Sequence, residues 1–195
     1  MLSTRARRRG IRLELFTVGW NAVEAAVAIT AGIGASSVAL IGFGLDSMVE
    51  VSAAGVVLWQ FVGVPEDRER LALRLIGASF FALAAYVTVT AINDLASGAE
   101  PDASTVGIVL TAVSMVVMPA LARAKARAGR EMASRTITAD SRQTRLCAYL
   151  SISTLAGLAA NAAFGWWWAD PIAALVIAVI AVTEGREAWR GDTCC

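Results

Sequence analysis

Two carboxylates one helical turn apart, Asp46 and Glu50, interrupt a stretch of chain that is otherwise apolar. Residues four positions apart lie about 40° from each other around a helix, so both side chains can reach one point in space. Charged side chains are costly inside a bilayer, and where they occur they usually mark the path of an ion or a proton. The pair therefore predicts a site at which two carboxylates share one cation. A purely structural role is the less favoured alternative.

A third carboxylate, Glu24, lies in another apolar stretch, three residues after Asn21. Its position predicts a place on the access path of the cation or in a proton-transfer step. The alternative is that Glu24 is uncharged and only hydrogen-bonds Asn21 or a neighbouring helix, since burial disfavours the charged form. The sequence leaves both interpretations open.

A second pair with the same spacing, Gln143 and Cys147, lies at the start of the fifth apolar segment. On a helical wheel, one arc of about 100° holds the polar and thiol side chains, and the nearby arginines point away from it. The members of this polar arc are Asp140, Gln143, Thr144, Cys147 and Ser151. If this helix crosses the helix of Asp46 and Glu50 near the two pairs, two carboxylates, an amide oxygen and a thiolate can form a tetrahedral metal site. Asp140 is a further candidate for the access path or the proton step, and Cys147 has an alternative role as a small apolar filler.

The types of ligand limit the choice of ion. Carboxylate, amide and thiolate together suit zinc or cadmium, with cobalt or ferrous iron also acceptable, and they are a poor match for magnesium and calcium. We therefore expect a transported divalent metal and no resident cofactor. At the end of the chain, Cys194 and Cys195 form a vicinal thiol pair that a soft metal could use as a cytoplasmic capture site. Alternatively, they belong to a short tail whose thiols do little or carry a lipid.

The elements that must position these side chains are membrane helices. Hydrophobic residues make up 57% of the 195 positions and the mean hydropathy is +0.62, values typical of a polytopic membrane protein. A helix needs about 20 apolar residues to cross a bilayer. On that rule we predict an all-α domain with six transmembrane helices over residues 13–190, after a basic cytoplasmic N-terminus (1–12) and before a short cytoplasmic tail (191–195). The predicted spans are residues 13–34, 38–62, 71–94, 103–122, 143–165 and 170–189.

The basic residues all lie on one side of this arrangement. The 17 Lys and Arg fall before the first span, at the connection of the second and third, around the connection of the fourth and fifth, which includes Lys125, and at the end of the sixth. Because positively charged flanks resist translocation, both termini are expected in the cytoplasm, with the protein in the inner (plasma) membrane. The net charge of +1 gives no reason to expect nucleic acid as a partner.

Five short strings fall in order on spans one, two, five and six. They are Asn21-x-x-Glu24, Gly32-x-x-x-Ser36-Ser37-Val38-Ala39-Leu40, Asp46-Ser47-x-x-Glu50, Ala139-Asp140-Ser141-x-Gln143-x-x-x-Cys147 and Trp168-Ala169-Asp170-Pro171-Ile172. Each string alone is a weak signal. Taken together, their order and placement resemble the membrane part of the cation diffusion facilitators, the proton-coupled exporters of zinc and related divalent metals.

The resemblance implies a four-donor transport site built from one pair on span two and one pair on span five, here Asp46, Glu50, Gln143 and Cys147. It also implies a homodimer that alternates between cytoplasm-facing and outward-facing states. Three positions depart from the family pattern: Gln143 stands where His is usual, Cys147 where Asp is usual, and Glu50 where Asp is common. Since the chain contains no His, proton exchange would have to use the acidic and thiol groups, Glu24 among them.

Members of that family usually carry a cytoplasmic ferredoxin-like domain after span six, whereas only residues 191–195 follow it here. We therefore expect a short form whose dimer is held by membrane helices alone.

These features together predict a carrier that exports a divalent transition metal from the cytoplasm, with proton exchange as one way to drive it. Two alternatives stay open: a membrane metal-binding regulator or accessory protein that does not transport, and a carrier of another cation. An enzyme is not expected. The chain lacks Gly-x-Ser-x-Gly, Cys-x-x-Cys, a glycine-rich phosphate loop and any His for base chemistry.

Overall fold

The computed structural model describes residues 4–60, 66–132 and 134–190. Nearly all of these residues lie in six α-helices: α1 (Thr4–Ala35), α2 (Val38–Gln60), α3 (Glu66–Ser97), α4 (Thr105–Glu131), α5 (Arg135–Phe164) and α6 (Ala169–Arg190). No strand occurs in the described ranges. The predicted all-α fold with six helices is therefore confirmed.

Five of the six helices are long and apolar enough to cross a membrane. The segments concerned are Arg7–Ala35, Val38–Trp59, Phe80–Ser97, Thr105–Glu131 and Asp140–Phe164. Helix α6 differs because charged residues stand near both of its ends, and only residues 171–183 are free of charge. That stretch is about 20 Å long, shorter than the roughly 30 Å of a hydrocarbon core. Asp170 near the first end is buried, whereas Arg186, Glu187 and Arg190 near the last end are exposed.

Several helices extend beyond the predicted spans on the side that carries the basic residues. Helix α1 begins at Thr4 instead of near residue 13, α4 continues to Glu131 instead of residue 122, and α5 begins at Arg135 instead of near residue 143. Hydropathy detects only the apolar part of a helix, whereas the Ala, Arg and Glu of the added turns favour helix wherever they lie. Lys125, predicted in a connection between helices, instead lies inside α4, so that assignment was wrong.

Helix α2 is the central element of the bundle. It packs against α1, α3, α5 and α6, while α4 packs against α1 and α5, and α3 packs against α6. Large apolar side chains such as Phe43 and Leu40 of α2, Val87 of α3 and Ile177 of α6 form the main hydrophobic core. On its other side, α2 faces the helices that carry most of the buried polar groups.

Glycines let α1 and α2 approach closely. A Cβ atom on Gly32 would lie 2.9 Å from the backbone nitrogen of Ile41, and one on Gly44 would lie 2.8 Å from Cγ1 of Ile29. A larger residue at either position would push the two helices apart. The small distance between the two helix backbones therefore holds the polar faces of α1 and α2 side by side.

The turn between α1 and α2 is held by a side chain of α6. Ser36 adopts the left-handed conformation with φ of 52°. The Ser37 hydroxyl donates to Asp170 Oδ1 at 2.5 Å, and the backbone amide of Ala39 donates to Asp170 Oδ2 at 3.2 Å. A carboxylate at a helix N-terminus satisfies free N–H groups and complements the helix dipole. Asp170 thus fixes the start of the helix that carries the carboxylate pair.

Candidate functional site

A buried polar interior lies between α1, α2, α4 and α5. Within the described part of the chain, its charged members are five carboxylates and one ammonium, each at most 5% exposed: Glu14, Glu24, Asp46, Glu50, Asp140 and Lys125. Hydroxyl side chains of the same four helices are buried among them, including Thr17, Ser47, Ser114 and Thr144. An interior with more acidic than basic groups favours protons or a cation, because isolated buried charges are strongly unfavourable.

Three of the four predicted donors meet in this interior. The Cys147 sulfur lies 3.1 Å from Asp46 Oδ2 and 3.0 Å from Glu50 Oε2. The spacing of four residues puts both carboxylates on the face of α2 that α5 covers. Cys147 lies on the polar arc of α5 that the helical wheel predicted. Two carboxylates of one helix and a thiol of another therefore approach one place, as a shared cation would require.

The Cys147 Sγ lies within hydrogen-bond distance of both carboxylates, and its single proton can be donated to only one of them at a time. In the ranges that the structure covers, no three or more His, Cys, Asp or Glu side chains are arranged like the shell of a bound metal ion. A metal at this place would therefore have to replace the thiol proton, because the thiolate is the form of Cys that binds metals. Ligation by Asp46, Glu50 and Cys147 thus stays a prediction supported by their proximity.

Glu50 uses its two oxygens differently. Oε2 faces the Cys147 thiol, whereas Oε1 accepts a hydrogen bond of 2.5 Å from the Thr144 hydroxyl. Thr144 also approaches the carbonyl oxygen of Asp140 on its own helix at 3.1 Å. The hydroxyl thus holds one oxygen of Glu50 and leaves the other directed at the candidate site. Sequence reasoning put Thr144 on the polar arc but gave it no role.

Gln143, the fourth predicted donor, is arranged differently from the other three. It is half-buried, and its Nε2 is buried without a hydrogen-bond partner among the described residues. The amide nitrogen therefore makes no hydrogen bond to the carboxylates that contact Cys147. A ligand role for Gln143 stays a prediction from the resemblance.

A buried ion-pair cluster lies next to this place, on the side of the basic helix ends. Lys125 Nζ is 2.5 Å from Asp140 Oδ2, 3.1 Å from Glu14 Oε2 and 3.9 Å from Glu50 Oε1. The side chain of Lys125 has no exposed surface. Asp140, predicted on the access path or in a proton step, is therefore paired with an internal cation.

Sequence reasoning missed both Glu14 and Lys125 as members of the polar interior. Two signals were present. Glu14, Thr17, Asn21 and Glu24 follow one another at spacings of three, four and three residues, which places them on one face of a helix. Lys125 is also the single lysine among the 17 basic residues, although residue type alone does not predict burial.

Glu24 is bound by hydroxyl groups of two other helices. Ser47 of α2 donates to Oε2 at 2.9 Å, and Ser114 of α4 donates to Oε1. Asn21 donates instead to the carbonyl oxygen of Thr17 at 2.9 Å. The contact with neighbouring helices that the sequence left open is present, and both oxygens accept from hydroxyls. Whether Glu24 also lies on the path of a cation stays a prediction.

The tail thiols Cys194 and Cys195 lie outside the described residues, so the capture site stays a prediction. Of the cysteines that the structure describes, Cys147 is a free buried thiol.

Comparisons with known proteins agree with this architecture. The family profile of the cation efflux transmembrane domain matches residues 66–190, which cover α3 to α6 and include Cys147. An uncharacterized transporter of Synechocystis sp. is 26% identical over 165 residues, covering 79% of this chain and 53% of that protein. Transmembrane protein 163 of Xenopus laevis is 22% identical over 138 residues, covering 69% of this chain and 49% of that protein. The chain thus spans about half the length of these relatives.

Proposed function

The chain belongs to the cation efflux family, and from this membership we propose that it exports a divalent transition metal, zinc or a softer relative such as cadmium, from the cytoplasm. The observation that carries the proposal is the approach of the Cys147 thiol to within 3.1 Å of both Asp46 and Glu50 carboxylates. Two charged oxygen ligands and one sulfur ligand from facing helices suit an ion of intermediate softness. A site of this composition would bind magnesium or calcium poorly.

Asp46 and Glu50 are the primary ligands in this proposal, and Cys147 and Gln143 complete the set. Thr144 orients Glu50 by holding the oxygen that faces away from the thiol, as groups behind a metal ligand commonly do. Glu24 and Asp140 lie further along the polar interior and belong to the route by which ions or protons reach the site. A homodimer in the inner (plasma) membrane, with both termini in the cytoplasm, is the proposed working form.

The proposal is tested by zinc uptake into inside-out membrane vesicles, measured with and without an imposed proton gradient. Asp46→Ala is expected to abolish uptake while the purified protein stays folded. Asp102→Ala is the matched control, because this carboxylate is exposed between α3 and α4 and its loss should leave uptake unchanged.

Two results would contradict the proposal. If uptake survives both Asp46→Ala and Glu50→Ala, the site is wrongly assigned. If the wild-type protein binds zinc but no condition gives uptake, the chain is a metal-binding regulator and not a carrier.

A further inference from the structure

Lys125 is a buried cation that the proposed transport site does not use. Its ammonium contacts Asp140 at 2.5 Å and Glu14 at 3.1 Å, and Glu50 is its most distant acidic partner at 3.9 Å. It therefore joins one proposed metal ligand to two carboxylates that are not ligands. Nothing in the assignment of the transport site explains this link.

Packing alone does not account for the cluster. Apolar side chains of similar volume can often replace a buried ion pair without loss of stability, so a fold does not need one. The cluster is also incompletely paired, because Glu14 Oε1 and Asp140 Oδ1 are buried and have no hydrogen-bond partner among the described residues. These two oxygens are acceptors to which the ammonium could move.

The Lys125 ammonium and a bound metal would both be attracted by the carboxylate of Glu50. Glu50 directs Oε2 to the thiol and Oε1 towards Lys125, so a metal on one oxygen would lie close to the ammonium beside the other. Two cations at such a distance repel strongly where water does not screen them. Occupation of the site by a metal should therefore weaken the contact between Lys125 and Glu50.

We propose that Lys125 is a tethered competitor of the transported metal, an inference that rests on the proposed function. With the site empty, the ammonium lies on Asp140 and Glu14 and is also within 3.9 Å of Glu50, so it partly neutralises that carboxylate. With the metal bound, it loses the contact with Glu50 and keeps those with Glu14 and Asp140. A tethered cation supplies a compensating charge that stays with the protein throughout the cycle.

The test is zinc affinity, measured by calorimetry on the full-length protein in lipid nanodiscs. Both tail thiols are changed to serine in every sample, so that they cannot bind the metal. Lys125→Met is expected to tighten zinc binding by about 5- to 150-fold, the usual range for coupling between two sites. Glu14→Gln is expected to weaken it, because the ammonium loses an anchor and interacts more with Glu50.

A double-mutant cycle separates competition from a general loss of charge. If Glu14 acts through the ammonium, Glu14→Gln should have little effect once residue 125 is methionine. If Glu14 merely attracts the metal from a distance, its effect should persist in that background. The double variant removes both members of the Lys125–Glu14 pair, so Asp140 is the one non-ligand carboxylate of the described cluster that is left without the ammonium.

Arg9→Met is the matched control for the loss of a positive charge. Arg9 pairs with Glu131 at 3.2 Å and joins the same two helices, α1 and α4, but both side chains are about half exposed. Solvent and salt screen an exposed pair. This variant should therefore bind zinc as the parent does.

Each outcome decides between the two proposals. If the parent binds zinc, Asp46→Ala does not, and Lys125→Met binds no tighter than the parent, the competitor role is overturned and the transport site stands. Equal weakening by Glu14→Gln in both backgrounds also overturns the competitor role. If the parent binds no zinc, the proposed function fails and the inference fails with it.

Discussion

Thr144→Val is the most informative single change at the candidate site. The valine side chain keeps the branched shape and removes only the hydroxyl that donates to Glu50 Oε1 at 2.5 Å. Neither Thr144 nor Glu50 has exposed surface, so water cannot replace the lost donor. The change tests whether Glu50 must be held in one orientation to bind the metal.

The magnitude follows from the type of bond. A hydrogen bond to a charged group contributes about 1.5–3 kcal/mol, which corresponds to a factor of roughly 10 to 150 in an equilibrium constant. Loss of a group that orients a metal ligand typically weakens metal affinity by about 10- to 100-fold. We therefore expect Thr144→Val to weaken zinc binding by about 10- to 100-fold.

The assay is zinc titration by calorimetry, with Thr154→Val as the matched control. Thr154 lies on the same helix, is equally buried, and its hydroxyl has no hydrogen-bond partner among the described residues. Removing an unpartnered buried hydroxyl should leave zinc affinity unchanged and stability equal or higher. Equal effects of the two substitutions, or no effect of Thr144→Val, would refute the orienting role of Thr144.

Three further predictions concern the scaffold and the route to the site. Gly157→Ala should lower stability by about 1–3 kcal/mol, because its Cβ would lie 3.0 Å from the Ala169 carbonyl oxygen. Gly19→Ala is the control, because the space around Gly19 is open, and it should not lower the melting temperature. Equal melting temperatures of the two variants would contradict the predicted clash at Gly157. Asp170→Asn should speed amide exchange at the start of α2, measured by mass spectrometry, and unchanged exchange would show that the cap is not needed. Glu24→Gln should slow zinc flux while zinc affinity stays within about threefold, and a large loss of affinity would make Glu24 a ligand.

Local geometry explains what could be predicted from the sequence. The placement of Asp46 and Glu50 on one face of α2, and of Cys147 on the polar face of α5, depends on residue spacings and on which face of each helix is polar, and both are properties of a single helix. The number of helices follows from the apolar runs in the same way. These features need no knowledge of how the helices are arranged.

The features that were missed depend on tertiary packing. A lysine near the basic end of a helix is ordinarily exposed, and only the packing of α4 against α1 and α5 buries Lys125 between Glu14 and Asp140. Gln143 illustrates the same limit, since the angle on a helical wheel does not give the depth at which two helices cross. The relative height of α2 and α5 brings Cys147 to the carboxylates and leaves the Gln143 amide nitrogen without a partner in the part of the chain that the structure describes.

In the proposed site, the thiol on α5 and the carboxylates on α2 bind one metal ion. The most direct measurement is the ultraviolet charge-transfer absorption between sulfur and cadmium, recorded on protein in which Cys194 and Cys195 are both serine. We predict that the band rises with added cadmium until one site is filled, and that Asp46→Ala greatly weakens the cadmium affinity read from it. Absence of the band while Cys147 is present, or a band of unchanged affinity in Asp46→Ala, would contradict the claim.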